Sequence, residues 1–160
     1  MSKTNVYVMV GLPGSGKSTY IENNFKDIPV VSRDIIRANL GYITIGEKAK
    51  LSREQEMEVT NSENKLIDLY CKTGQSFVID DTNLNPRFRT ELFARLRKHP
   101  NVRIVAVHLD TPLSTCIERR KNDIPSDIMK NIASRMSIPS KDECDDFITV
   151  SHNDSNPGIC

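Results

Sequence analysis

Gly11-Leu12-Pro13-Gly14-Ser15-Gly16-Lys17-Ser18, followed by Thr19, decides the fold. It is a complete G-x-x-x-x-G-K-[ST] loop, in which each residue type has a physical job. Gly11, Gly14 and Gly16 let the backbone curl until several N–H groups converge on one anion. Lys17 reaches the outer phosphates of a bound nucleotide, and Ser18 offers a hydroxyl to Mg²⁺. The whole stretch Gly11, Leu12, Pro13, Gly14, Ser15, Gly16, Lys17, Ser18 and Thr19 is the expected cofactor-binding segment. Chance gives the motif in roughly one chain in a few hundred of this length. The context is the required one, because the apolar run Val6-Tyr7-Val8-Met9-Val10 precedes it and a helix begins at Thr19-Tyr20-Ile21.

Outward from the loop, elements alternate. Strands are expected at Val6–Val10, Pro29–Val31, Ser76–Asp80, Val102–His108 and Phe147–Val150. Helices are expected over 17–24, 34–40, 52 to about 71 and 125–136, with one starting at Asn85-Pro86 that carries Leu92, Phe93 and Leu96, and one opened by Thr111-Pro112 that carries Cys116 and Ile117. Ser52 with Gln55, and Ser140 with Glu143, form capping boxes that open helices. Asn85 caps the helix that starts with Pro86. Gly74 closes the long helix, whose apolar stripe of Val59, Leu66 and Tyr70 is interrupted by the polar stretch 60–65. The segment 41–50 reads as loop and 151–160 as a mobile polar tail. This alternation implies an α/β fold with a mostly parallel sheet covered on both faces. Ligands then belong at the carboxyl ends of the strands.

The bulk properties narrow the classes. A chain of 160 residues reads as one domain, and 38% hydrophobic with 27% charged residues is globular. A formal charge of +1 gives no global footprint for tight duplex binding. Cys71, Cys116, Cys144 and Cys160 are scattered, which fits a reducing compartment and no metal cluster. The polar start of the chain lacks a signal peptide's apolar stretch, and no run is long enough to span a membrane. The expectation is a cytoplasmic protein, in the host cytoplasm if phage-encoded.

Chemistry-bearing residues sit at the other strand ends. Asp34 falls where the second strand turns into a helix, and Arg37, three residues on, shares its face. A carboxylate there could accept the proton of an attacking hydroxyl, and the arginine could hold an acceptor phosphate; an ordinary surface pair fits as well. The third strand ends in Asp80-Asp81, the expected place for a carboxylate serving Mg²⁺. Asp81, nearer the tip, is the preferred one. Arg87 and Arg89 add positive charge near the same rim. The basic cluster Arg119-Arg120-Lys121 reads as a lid arginine or as a solvated helix end.

With these segments in place, the chain resembles the kinase domain of phage polynucleotide 5′-hydroxyl kinases. Four stretches carry the resemblance: 11–19, Arg33-Asp34 with Arg37, Asp81-Thr82-Asn83-Leu84-Asn85-Pro86, and Ile124-Pro125 leading to Met129 and Met136. It implies a three-layer P-loop fold similar to adenylate kinase. That fold has a five-stranded parallel sheet of order 2-3-1-4-5, and a small helical lid at about 117–139. It implies ATP and Mg²⁺ held by Lys17, Ser18 and Asp81, with Asp34 as base. Arg37 is implied on the acceptor's phosphate, and Arg119 or Arg120 as the lid arginine. Asp34, Arg37, Asp81 and Arg87 form the expected substrate-facing set. The substrate implied is a 5′-hydroxyl end of DNA or RNA. Without the phosphatase module of the phage enzyme, the expectation is a kinase alone or one that relies on a separate phosphatase or ligase partner. The rivals are a small-molecule kinase for a nucleoside, sugar or antibiotic hydroxyl, and a nucleotide-dependent regulatory ATPase. The guanine-reading signature of GTPases is absent.

Overall fold

The computed structural model describes residues 3–43, 50–81 and 85–151. Its elements run β1 (Thr4–Val10), α1 (Lys17–Asn24), β2 (Val30–Val31), α2 (Arg33–Asn39), α3 (Arg53–Thr73) and β3 (Phe77–Ile79). They continue with α4 (Pro86–Arg97), β4 (Val102–Asp110), α5 (Leu113–Arg119), α6 (Ser126–Ser134), a single 3₁₀ turn at Lys141–Glu143 and β5 (Asp146–Ser151). The five strands form one sheet of order β2-β3-β1-β4-β5. Every pairing is parallel, with Val6 set beside both Phe77 and Ile104.

The sheet is buried on both faces, so β1, β3 and β4 read as continuous apolar runs. Side chains alternate between two cores. Val6, Val8, Val10, Phe77, Ile79, Ile104 and Ala106 face one, which is closed by Val59, Ile67 and Cys71 of α3, Phe93 and Leu96 of α4, Cys116 of α5 and Met129 of α6. Met9, Val78, Val105, Val107 and Leu109 face the other, covered by Ile21 of α1 with Tyr20 and Phe25 beside it. Helices therefore lie on both sides of the sheet.

Local signals place the helix ends. Both halves of the Ser52–Gln55 capping box form, and Gly74 ends α3 in the left-handed conformation. Asn85 accepts from the Arg87 N–H, with Pro86 at the first helical position. The Ser140–Glu143 box also forms, and the short acidic helix it opens is the single 3₁₀ turn Lys141–Glu143. The helix expected over 125–136 is α6, ending at Ser134. The buried stripe of α3 is Val59, Ile67 and Cys71, with Leu66 and Tyr70 on its flank. Of the expected loop and tail, 44–49 and 152–160 lie outside the described residues, as do Thr82–Leu84 and Cys160. Among the described residues, Cys71, Cys116 and Cys144 are buried free thiols. No described helix is long and apolar enough to cross a membrane.

One expectation is overturned here. Arg89 does not face the rim; its side chain is 2% exposed. It donates to the Ser137 carbonyl and hydroxyl and pairs with Glu143 at 3.4 Å. A buried cation needs such partners, and these tie α4 to the segment that leads into β5.

Candidate active site

The loop between β1 and α1 is built for an anion. α1 has Gly16 at its N-cap, no side-chain cap and no acidic residue in its first turn. Gly16 has no side chain with which to cap these first N–H groups, and a helix start of this kind favours a phosphate. Gly14 and Gly16 take φ of 82° and 101°, where a side chain is strained. The Thr111 hydroxyl, just past β4, donates to the Ser15 carbonyl at 2.7 Å and braces the loop. Among the described residues, Ser15 Oγ is buried without a hydrogen-bond partner. Such an orphaned group calls for a ligand or water.

Lys17 Nζ donates to the Gly11 and Leu12 carbonyls at 2.9 and 2.8 Å, holding the ammonium inside the loop's curve. Burial lowers its pKa to about 8, and the charge of Asp80 works against that shift. Burial also raises the Asp80 pKa, with Lys17 opposing. Asp81 is pushed up to about 8, first by burial and then by the charge of Glu63, with Arg33 opposing. Asp80 feels the loop lysine most directly, while Asp81 lies closer to the charges of Glu63 and Arg33; the charge of Asp34 reaches both.

The end of β2 delivers Arg33, Asp34 and Arg37 into the same cleft. Ser32 caps α2 from its side-chain oxygen. Arg37 Nη1 donates to Asp34 at 2.8 Å, while its Nε and Nη2 reach Glu56 of α3, each at 3.1 Å. Arg33 binds Glu56 at 2.9 Å, Glu63 at 2.8 Å and the Thr60 hydroxyl at 3.1 Å. The hydrogen bonds from Arg37, joined by those from Arg33, hold the Glu56 carboxyl below the usual range. Glu56, Thr60 and Glu63 were not singled out from sequence. Thr60 and Glu63 carried one signal, the polar interruption of the α3 stripe at 60–65; Glu56 lies before it and lines the cleft with them.

The end of α5 closes the other side. Arg119 Nη1 donates to the Gly14 carbonyl at 3.1 Å. Arg120 also lines the cleft, but its Nε and Nη2 are engaged by Asp123 Oδ2 at 2.9 and 2.7 Å. Arg87 stands exposed on the opposite rim, 3.9 Å from Glu91. All these groups line one open cleft of about 1890 Å³. Small-molecule sites usually occupy about 300–1,000 Å³.

Packing against α5 makes Gly14 sensitive. A Cβ there would lie 2.8 Å from Arg120 Cγ and 3.1 Å from the Cys116 carbonyl, on top of the strain of its φ. At Gly41, with φ of 81°, an added Cβ meets no described residue within 4 Å. Gly41→Ala is expected to cost the backbone strain alone, about 1–2 kcal/mol. Gly14→Ala is expected to cost measurably more in urea unfolding. Equal losses in the two variants would show that α5 does not pack on the loop in solution.

Mg²⁺ is bound through one or two carboxylates plus substrate phosphates rather than a full protein cage. Ser18 and the Asp80–Asp81 pair at the cleft's base are a donor set of that kind. Among the described residues there is no cluster of three or more His, Cys, Asp or Glu side chains suited to a metal.

A parallel sheet of this order, with a phosphate loop after its first strand, defines the P-loop kinase fold, and that fold implies a bound nucleotide. Residues 6–123 match the model of the AAA domain family, and the chain belongs to that family. Among its relatives is an Autographa californica nuclear polyhedrosis virus protein with the provisional name bifunctional polynucleotide kinase/RNA ligase. It is 27% identical over 128 residues, 74% of this chain and 18% of the relative. Human heterogeneous nuclear ribonucleoprotein U-like protein 2 is 23% identical over 165 residues, 93% of this chain and 22% of the relative. The chain thus spans about a fifth of the length of the curated relatives it matches. Of the solved structures, the Pnkp1/Rnl/Hen1 RNA repair complex shares the fold with a TM-score of 0.73. There the identity is 19% over 84% of this chain and 44% of that one. The Mycobacterium tuberculosis APS kinase CysC has a TM-score of 0.58 and 20% identity, over 93% and 90% of the two chains.

Proposed function

We propose that this chain transfers the γ-phosphate of ATP to the 5′-hydroxyl of a DNA or RNA strand. The observation that carries the proposal is the continuity of the cleft. It runs from the loop at Lys17 to the Asp34–Arg37 pair and on between α3 and α4, with more room than a nucleotide and a small acceptor require. The viral relative's name and the likeness to an RNA repair complex point the same way.

In this reading the loop N–H groups and Lys17 hold the β- and γ-phosphates. Mg²⁺, held by Ser18 with Asp80 or Asp81, would neutralise charge on the phosphate oxygens. Both carboxylates feel the charge of Lys17, Asp80 more strongly, so either stands within reach of an ion held at the loop. Asp34, 79% exposed and aimed into the cleft, orients the attacking hydroxyl and takes its proton late, since the transition state is loose and demands little base strength. Arg37 uses three of its five N–H donors on Asp34 and Glu56, leaving two for the phosphate that follows the acceptor's first sugar. Arg119 approaches the transferring group from above the loop.

A second reading is a small-molecule kinase, supported by the match of fold to APS kinase over nearly the whole chain. A panel with labelled ATP separates them. The expected result is label on 5′-hydroxyl oligonucleotides and on nucleoside 3′-phosphates, and none on sugars, nucleosides or adenylyl sulfate. Label confined to the small molecules would replace the polynucleotide reading with the second one. Slow ATP hydrolysis indifferent to every acceptor would revive the regulatory ATPase.

A further inference from the structure

The far end of the cleft, between α3 and α4, has a composition that the transfer chemistry does not use. Phe88 is 66% exposed and Met57 is 55% exposed, and both line the cleft with half-buried Leu92. Single exposed apolar residues are ordinary on a protein surface. Here the α3 side brings Arg53 beside Met57, and the α4 side brings Arg87 and Lys98 along with Phe88 and the acidic Glu91, all lining the same cleft. Among the described residues Arg53 and Lys98 have no ion-pair partner, and Arg87 has only the 3.9 Å contact to Glu91. Aromatic and apolar platforms interleaved with cations are what single-stranded nucleic acid binds. Bases stack on the platforms, and the cations follow the backbone.

We infer that this rim is a track for the acceptor strand. Phe88 and Met57 receive nucleobases beyond the first nucleotide, and Arg53, Arg87 and Lys98 meet the phosphates between them. The inference rests on the polynucleotide reading above and adds a substrate class to it, namely a single-stranded end several nucleotides long. The charge favours a strand over a protein segment. The track continues from the phosphate loop and Arg37, both cation-bearing sites, so one polyanion engages all three.

The test compares acceptors on the full chain. A 5′-hydroxyl oligonucleotide of about eight residues is expected to show a lower KM than a nucleoside 3′-phosphate. Phe88→Ala is expected to shrink that KM advantage by about tenfold or more, the weight of one base stack. Phe88→Trp is expected to restore it, and the advantage is expected to fall as salt rises. If the oligonucleotide has no advantage in the wild-type chain, or if Phe88→Ala leaves the ratio unchanged, the track is overturned while the kinase reading stands. If neither acceptor is phosphorylated, both fall.

Discussion

Arg119→Ala is expected to lower kcat for phosphoryl transfer by about 10³- to 10⁵-fold, the range for an arginine that neutralises charge on a transferring phosphoryl group. Arg120→Ala is expected to lose far less. The two are neighbours in sequence, but the structure separates them. Arg119 Nη1 lies 3.1 Å from the Gly14 carbonyl, and a Cβ on Gly16 would lie 3.9 Å from it, so its guanidinium sits directly over the phosphate cradle. Arg120 spends Nε and Nη2 on Asp123, and its stem packs against Gly14. Initial rates with saturating ATP and oligonucleotide decide the matter, alongside nucleotide affinity from a fluorescent ATP analogue. Nucleotide affinity should change little in Arg119→Ala, because the interaction strengthens as transfer proceeds. A larger loss from Arg120→Ala than from Arg119→Ala would reverse the assignment.

Asp34→Ala is expected to cost about 10²- to 10⁴-fold in kcat, the usual weight of a positioned acid–base group, with ATP still bound. The carboxylate is mostly exposed, and among the described residues its ion pair is to Arg37 at 2.8 Å, so its loss is expected to leave nucleotide affinity unchanged. Asp34→Asn keeps the shape and a hydrogen bond to Arg37 but cannot take a proton. If it fails as badly as Asp34→Ala, proton acceptance is the function. If it recovers most of the rate, the side chain acts by placing Arg37. Full turnover in Asp34→Ala would remove the residue from the mechanism.

Much of the site was legible because its determinants are local. The loop's glycines, Lys17 and Ser18 are consecutive, and their geometry follows from backbone permissiveness and the start of one helix. Asn85-Pro86 and Ser52 with Gln55 placed helix starts by hydrogen bonds spanning at most three residues. The strand order expected from the resemblance is the observed one. Asp34 and Arg37 were readable as a pair because three residues on a helix share a face.

The remainder depends on contacts far apart in the chain. Arg89 looked like a rim cation, yet its partners Ser137 and Glu143 lie about fifty residues on, and they draw it inside. Asp80 and Asp81 follow a strand buried on both faces, so no alternation of apolar and polar residues told which one feels Lys17 more directly. Glu56 and Glu63 gain their place only when α3 packs across α2. At the 3₁₀ turn Lys141–Glu143 the capping box placed the start, and the need to extend at once into β5 beside β4 kept the helix short.

By itself, then, the sequence determined that this chain carries a phosphate cradle on an alternating α/β frame, since backbone freedom, helix starts and apolar runs act over a few residues. Only the tertiary structure decided which charges meet. It placed Arg119 over the cradle and set Glu56 between Arg33 and Arg37. It sent Arg89 inward and left Phe88 at the rim. Electrostatic and packing energies depend on distance in space, and the chain brings those side chains together only after the sheet and its helices are assembled.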